Sequence, residues 1–216
     1  MVNPDEVLER YGADAFRLYE MFMGPLEDAK PWNMRGIEGV YRFMKRVWFW
    51  GLERMGSLTD AEAAGPDLIL RHQTIAKVGA DIEALKFNTA ISALMIYLNR
   101  LTEQEQTSRA DFSAFLTLLH PFAPHVTDEL WERAGGKESL LRSAWPEADK
   151  SVIASRDIEI PVQVNGKVKE RLTVKETATQ EELKKLALEK AAPHMAGKTL
   201  VKIIVVPGRL VSIVIK

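Results

Sequence analysis

The sequence predicts a mainly α-helical protein: a helical bundle followed by a small α+β domain that runs strand, strand, helix, strand, strand. Two observations support this fold class. Apolar residues recur at helical spacing through most of residues 1–150, whereas near the C-terminus they alternate with polar residues around an Asn165-Gly166 dipeptide. The expected domains are a helical segment over residues 1–30, a helical bundle over 31–150 and the small α+β domain over 156–216.

The first helices begin at a recognisable start signal. Asn3 and Pro4 suit a helix N-terminus, and the helical spacing continues across Gly12 until Gly24-Pro25 ends it. Further helices are predicted over residues 36–54, 68–85, 87–101 and 110–119, and another from about residue 126 to residue 134. Short breaks between long helices favour a bundle of antiparallel neighbours. Residues 57–67 are predicted as a loop and residues 145–155 as a linker.

The C-terminal elements follow from alternation and turn residues. Residues 158–164 and 167–174 alternate on either side of Asn165-Gly166, which is typical of a tight β-hairpin. Residues 180–191 have helical spacing, and residues 200–206 and 210–215 form a second strand pair separated by Pro207-Gly208.

Charge is distributed unevenly along a chain whose formal net charge is only −1. Residues 151–216 contain 12 lysines and arginines against 7 acidic residues, whereas residues 1–150 contain 17 against 23. A basic module joined to an acidic one favours contact between the small domain and a polyanion, although charge alone leaves a merely solvated surface open.

Composition excludes several classes of site. The chain has no cysteine, so disulfides, thiolate metal sites and cysteine nucleophiles are excluded. The N-terminal region lacks a signal-peptide-like apolar block, and no stretch approaches the roughly 18 apolar residues of a membrane span. We therefore expect a soluble, cytoplasmic protein without a membrane partner.

The sequence lacks the usual catalytic motifs. It contains no Gly-x-Ser-x-Gly elbow, no Walker loop and no Rossmann glycine pattern. His120 and His125 are the two histidines closest in sequence, with Asp128 and Glu129 as the only nearby acidic candidates, and their spacing does not match a metal site. We expect these histidines to lie at caps or at the edge of the core, and the chain to be a binding module.

The predicted helix over residues 36–54 is amphipathic and basic. Arg35, Arg42, Lys45, Arg46 and Arg54 fall mostly away from its apolar face, with only Glu38 and Glu53 to balance them. A solvated charged face is the plain interpretation. The excess of cations in an otherwise acidic domain is also consistent with an anionic partner.

Several motifs recur together in one known family. They are residues 2–7, 11–19 and 21–26 near the N-terminus, residues 36–43, 87–91 and 119–125 in the bundle, and residues 162–168 and 205–211 in the small domain. With these motifs the chain resembles, over its whole length, the C-terminal part of bacterial leucyl-tRNA synthetases, which are class I aminoacyl-tRNA synthetases. Ser212 stands where that family usually has Asn.

The resemblance implies a helical anticodon-binding domain followed by an appended tRNA-binding domain. In the complete enzymes, leucine is joined to its tRNA with ATP and Mg²⁺, but this sequence lacks the His-Ile-Gly-His and Lys-Met-Ser-Lys-Ser motifs. We therefore expect no cofactor in this chain and no aminoacylation by it alone. The expected partners are tRNA-Leu and the catalytic half of the synthetase, in the same chain or a separate one.

The lysines and arginines of both domains are the candidate RNA contacts. In the bundle these are Arg35, Arg42, Lys45 and Arg46, and in the small domain Lys167, Lys169, Arg171, Lys202 and Arg209. Alternation places Lys167, Lys169 and Arg171 on one face of their strand. Three hypotheses stay open: a tRNA-binding fragment, a subunit that completes a split enzyme, and a protein-interaction module that does not bind RNA.

Overall fold

A computed structural model describes residues 3–154, 157–175, 178–195, 199–206 and 208–216 of the chain. Val2 of the first family motif, Ser155 of the predicted linker and Pro207 of the second predicted turn lie outside these residues. The chain divides into two compact units, Met1–Asp149 and Lys150–Lys216. The first unit includes residues 1–30, which were predicted to form a separate helical segment.

The first unit is helical, as the periodicity predicts. Its α-helices are α1 (Pro4–Tyr11), α2 (Ala13–Phe22), α3 (Met34–Arg54), α4 (Pro66–Glu83), α5 (Phe87–Glu103), α6 (Arg109–Leu119) and α7 (Pro124–Arg133), with a 3₁₀ turn at Leu140–Arg142. The first two helices are separate because Gly12 adopts a φ of 83°, a left-handed conformation that interrupts the spacing continued across it.

One hydrophobic core joins these helices. Leu94 and Leu98 of α5 and Phe115 of α6 are fully buried. The ring of Trp50 in α3 lies 5.3 Å from that of Phe112 and 5.2 Å from that of Phe115, both of which belong to α6. Edge-to-face and tilted ring pairs at such distances add to the energy of apolar burial, so this cluster fixes α3 against α6.

A buried polar network connects α4, α5 and α6. Asp111, only 2% exposed, accepts hydrogen bonds from Tyr97 Oη at 2.7 Å and Ser108 Oγ at 2.5 Å, and its carboxylate lies 3.5 Å from the guanidinium of Arg71. Arg71 also pairs with Glu62 of the preceding loop. Burial, followed by the charge and hydrogen bond of Asp111, raises the pKa of Tyr97 above its ordinary value.

The second unit contains the predicted strand, strand, helix, strand, strand order. Its elements are a short helix α8 (Lys150–Ala154), strands β1 (Asp157–Val164) and β2 (Lys167–Lys175), helix α9 (Gln180–Ala191), a 3₁₀ turn at Ala192–His194, and strands β3 (Leu200–Val206) and β4 (Leu210–Ile215). Helix α8 lies in the stretch predicted as a linker. The sheet order is β2-β1-β4-β3, in which β1 and β4 are parallel and the outer pairs are antiparallel.

Helix α9 covers one face of the sheet. Its Leu183, Ala187 and Ala191 share a core with alternate strand residues such as Ile160 and Ile213. The helix begins with a capping box in which Thr179 and Glu182 bond each other's backbone amides. The Glu182 carboxylate accepts hydrogen bonds from the amide and the hydroxyl of Thr179, and these lower the pKa of the Glu182 carboxyl.

Within the described residues, no helix combines the length and the apolar character that crossing a membrane requires.

Candidate nucleic-acid interface

The candidate interface of the first unit is the exposed side of α3. Asn33 starts this helix by accepting a hydrogen bond of 2.9 Å from the amide of Arg35. The opposite side of the helix is committed to the core through Ile37, Val40 and Val47, which are fully buried or nearly so. Positions three, four and seven residues apart share a helix face, so the remaining side is a continuous exposed strip. The predicted cations Arg35, Arg42, Lys45 and Arg46 are all exposed on it.

Among the described residues, the cations of this strip are not paired with carboxylates, although one exposed carboxylate, that of Glu38, shares the face between Arg35 and Arg42. Arg46 donates a hydrogen bond of 2.7 Å to the neutral side chain of Asn99, and Lys45 Nζ lies 4.6 Å from the centre of the Tyr41 ring. In the part of the chain that the structure describes, neither they nor Arg35 and Arg42 form an ion pair with a carboxylate. By contrast, Arg100 and Arg109 elsewhere in this unit are paired with Asp67 and Asp60.

Arg54, the fifth basic residue of this helix, has a structural role. Its guanidinium donates to the backbone oxygen of Glu105 at 2.6 Å and to that of Gln104 at 2.8 Å. The side chain therefore fastens the end of α3 to the segment after α5. Since those donors are used within the fold, Arg54 is not part of the candidate interface.

An aromatic residue that the sequence analysis did not single out lies within the cationic strip. Phe49 is 64% exposed, and it lines an open groove of about 430 Å³ together with Tyr41, Lys45 and Trp48. The sequence does contain the signal, since Phe49 is four residues after Lys45 and seven after Arg42, on the polar side of an amphipathic helix.

In the second unit, the predicted grouping of Lys167, Lys169 and Arg171 on one strand face is wrong. Pairing between β1 and β2 shifts by one residue, so that Lys169 becomes the extra residue of a β-bulge. Lys167 stands opposite the buried Val164, on the face that α9 covers, whereas Arg171 stands opposite Pro161 on the other face. A one-residue shift moves every later side chain to the opposite face, which strict alternation cannot anticipate.

The other predicted cations of the small unit, Lys202 and Arg209, do not lie on β2. Lys202 is on β3, which forms the opposite edge of the sheet, and β1 and β4 separate the two edges by about 14 Å in total. Arg209 is exposed in the turn before β4. Arg171 forms an exposed ion pair of 3.2 Å with Glu159. The cations of the sheet are thus divided between its two edges, whereas Arg42, Lys45 and Arg46 lie within about 6 Å along the axis of α3.

His120 and His125, the two histidines closest in sequence, both contact protein side chains. His120 is buried at the edge of the core with Nδ1 2.9 Å from Thr127 Oγ1. His125 has Nδ1 2.7 Å from a carboxylate oxygen of Asp14. No group of three or more metal-ligating side chains occurs among the residues that the structure describes.

Known proteins resemble this chain in sequence. The model of the anticodon-binding domain of tRNA ligase matches residues 68–185. The leucine–tRNA ligase of Elusimicrobium minutum (strain Pei191) is 51% identical over 218 residues, which cover 100% of this chain and 26% of that protein. The leucine–tRNA ligase of Parabacteroides distasonis is 42% identical over 219 residues, covering 100% of this chain and 23% of that protein. The chain thus spans about a quarter of the length of these relatives and matches a C-terminal part of them.

A solved structure also resembles it. The crystal structure of the ternary complex of Agrobacterium radiobacter K84 agnB2 LeuRS-tRNA-LeuAMS has a TM-score of 0.79 and 26% sequence identity, covering 100% of this chain and 30% of that one. Both units of this chain thus have counterparts in that structure. Because the family match extends over more than half of the residues, the chain belongs to the family of anticodon-binding domains of tRNA ligases.

Proposed function

We propose that this chain is a tRNA-binding part of a leucine–tRNA ligase and that it holds tRNA-Leu for a catalytic part that lies outside this sequence. Its match to leucine–tRNA ligases over its whole length supports the choice of leucine. The resemblance to a synthetase determined together with tRNA supports the choice of RNA. A role in charging tRNA also implies a cytoplasmic location.

The excess of unpaired positive charge on the exposed face of α3 is the main support for this function. Arg35, Arg42, Lys45 and Arg46 lie exposed on one helix face, without carboxylate partners among the described residues, in a region where acidic residues are in excess. Cations arranged in this way bind phosphates and release counterions, which favours RNA without reading its sequence. The predicted cations of the sheet would add weaker, dispersed contacts.

Catalysis would be carried out by the catalytic part of the ligase, which lies outside this sequence. In the complete enzyme, ATP and Mg²⁺ would activate leucine, and none of this chain's residues is assigned to that step. The α3 strip would instead orient the tRNA through its backbone, as structured RNA is recognised largely by shape and phosphate position.

A binding measurement tests this function. The full 216-residue chain is titrated against a tRNA-Leu transcript at low and at physiological salt. We expect binding that weakens steeply with salt, no leucylation by the chain alone, and leucylation when a separately expressed catalytic half is added. Absence of tRNA affinity even at low salt would contradict the proposal and favour a protein-interaction module.

A further inference from the structure

We propose that Phe49 and the groove beside it form a stacking site for an unpaired nucleobase of the bound tRNA. This inference rests on the proposed function, since it names the part of the RNA that the α3 strip would receive. Stacking on Phe49 would add an aromatic contact to the phosphate contacts of the cations on the exposed face of α3.

The exposure of Phe49 is the first argument. The neighbouring Trp50 is buried in the core at 3% exposure, whereas the Phe49 ring is 64% exposed in the middle of a long helix. No ring or cation contact to Phe49 occurs among the described residues. An exposed aromatic ring next to cations can stack on a nucleobase.

The position of Phe49 among the cations is the second argument. Lys45 and Arg46 precede it by four and three residues, and Arg42 by seven, so all three share its face of the helix. The axial separations are therefore about 5 to 10 Å. A nucleotide combines a flat base with an adjacent phosphate, and this face offers an aromatic ring with cations one and two turns away.

The groove supplies the third argument. Its walls include the rings of Tyr41 and Trp48, and a cation lies against each of them: Lys45 Nζ is 4.6 Å from the centre of Tyr41, and the Arg133 guanidinium is 5.1 Å from Trp48. Aromatic platforms bordered by positive charge are the usual means of binding single-stranded nucleic acid. Arg133 is already paired with Glu129 at 2.6 Å, but Lys45 has no carboxylate partner among the described residues. A phosphate could supply the counter-charge of Lys45, whereas an apolar protein segment could not.

The test compares two RNA probes and a set of variants of the full chain. The probes are a tRNA-Leu transcript, which contains unpaired bases, and a blunt RNA duplex, in which every base is paired. Phe49→Leu removes the ring but keeps an apolar side chain, and Phe49→Trp restores a ring. Leu141→Ala is the control, because Leu141 is an apolar residue outside α3 that is even more exposed than Phe49, at 81%.

We expect Phe49→Leu to weaken tRNA binding by about 5- to 150-fold, the range that stacking on one base spans, with little effect on the duplex. The slope of affinity against salt should not change, because no charge is removed. Phe49→Trp should retain affinity, and Leu141→Ala should bind like the unaltered chain. Thermal unfolding of all variants should be unchanged, which excludes a folding defect.

The result that overturns this inference alone is unaltered tRNA binding by Phe49→Leu while Arg42→Ala/Arg46→Ala weakens binding. Equal losses for tRNA and duplex would also overturn it, because the contact would then not involve an unpaired base. Loss of leucylation with a catalytic half, without loss of tRNA affinity, would assign the groove to a protein contact instead. If the unaltered chain does not bind tRNA at low salt, the proposed function fails, and this inference fails with it.

Discussion

The carboxylate of Asp14, near the start of α2, accepts a hydrogen bond of 2.7 Å from the backbone amide of Val126 in the first turn of α7. Its other oxygen accepts from the amide of His125 at 3.3 Å. Helix α7 has no capping side chain at its own N-cap residue, Ala123. A residue more than 100 positions away therefore supplies the cap, and its negative charge also complements the positive end of the helix dipole.

Replacing Asp14 with Ala should destabilise the first unit by about 2 kcal/mol, because it leaves two helix-start amides without their charged acceptor. Asp14→Asn should cost less, since one acceptor oxygen is kept. All five tryptophans lie in this unit, so the urea midpoint of tryptophan fluorescence measures its unfolding. His125→Ala is the control: it keeps both amide bonds and should shift the midpoint only slightly. Equal losses for the Ala variants at both positions would contradict this account.

The buried Tyr97–Asp111 pair predicts a loss of stability at alkaline pH. Since the pKa of Tyr97 is raised in the folded state, its phenol stays protonated there while the unfolded chain ionises near pH 10. The contribution of Tyr97 to the free energy of unfolding is therefore complete below about pH 10. Above that value the free energy of unfolding declines by at most about 1.4 kcal/mol per pH unit.

Tyr97→Phe removes this ionisation. Urea unfolding measured between pH 9 and 11 should show the variant losing less stability with rising pH than the unaltered chain. At neutral pH the variant should instead be less stable by about 1 kcal/mol, because the 2.7 Å hydrogen bond to Asp111 is gone. Parallel pH profiles for the two proteins would show that Tyr97 does ionise in the folded state.

Gly51 permits close packing between α3 and α7. A Cβ atom at this position would lie 2.6 Å from Cδ1 and 2.7 Å from Cδ2 of Leu130, which is fully buried and cannot move aside freely. Gly51→Ala should therefore destabilise the first unit by about 1 to 2 kcal/mol, despite the better helix propensity of Ala. Gly56→Ala is the matched control, because a Cβ there would meet nothing within 4 Å. A stabilised Gly51→Ala protein would show that the two helices can separate without cost.

Asn165 has a second role besides the hairpin turn. With φ of 47° at Asn165 and 78° at Gly166, the turn requires two left-handed residues. The Asn165 side chain also exchanges two hydrogen bonds with the backbone of Ile215 at the end of β4, at 3.1 and 3.0 Å. Asn165→Gly keeps the turn but removes these bonds. We expect faster amide hydrogen exchange at Ile215, with protection in the middle of β1 retained; unchanged exchange at Ile215 would contradict this role.

Local signals explain what the sequence predicts well. The Asn165-Gly166 turn, the helical spacing of α3 to α6 and the order of elements in the small unit depend on near neighbours in the chain, and all are present. The bulge at Lys169 was missed because it depends on the register of two strands, which alternation within one strand does not contain. The cap provided by Asp14 was missed because it joins residues brought together only by packing.

In the candidate site, too, features that depend on near neighbours were predictable, and contacts between distant residues were not. Exposure of Arg42, Lys45 and Arg46 follows from helix periodicity, so the strip was predictable. The structural use of Arg54 was not, because its acceptors belong to the segment after α5. Phe49 was overlooked because an aromatic residue in a helix is usually counted toward the core.

The salt dependence of tRNA binding tests the central claim most directly. Affinity for a tRNA-Leu transcript is measured by filter binding between 50 and 200 mM salt for the unaltered chain, for Arg42→Ala/Arg46→Ala, and for the matched double variant Arg100→Ala/Arg109→Ala. The control removes the same charge from arginines that are paired with Asp67 and Asp60. We predict weaker binding by the first variant and a slope of log affinity against log salt that is flatter by about 1.4 to 1.8, while the control keeps its slope. Identical curves for all three proteins would contradict the claim that the exposed face of α3 binds the RNA backbone.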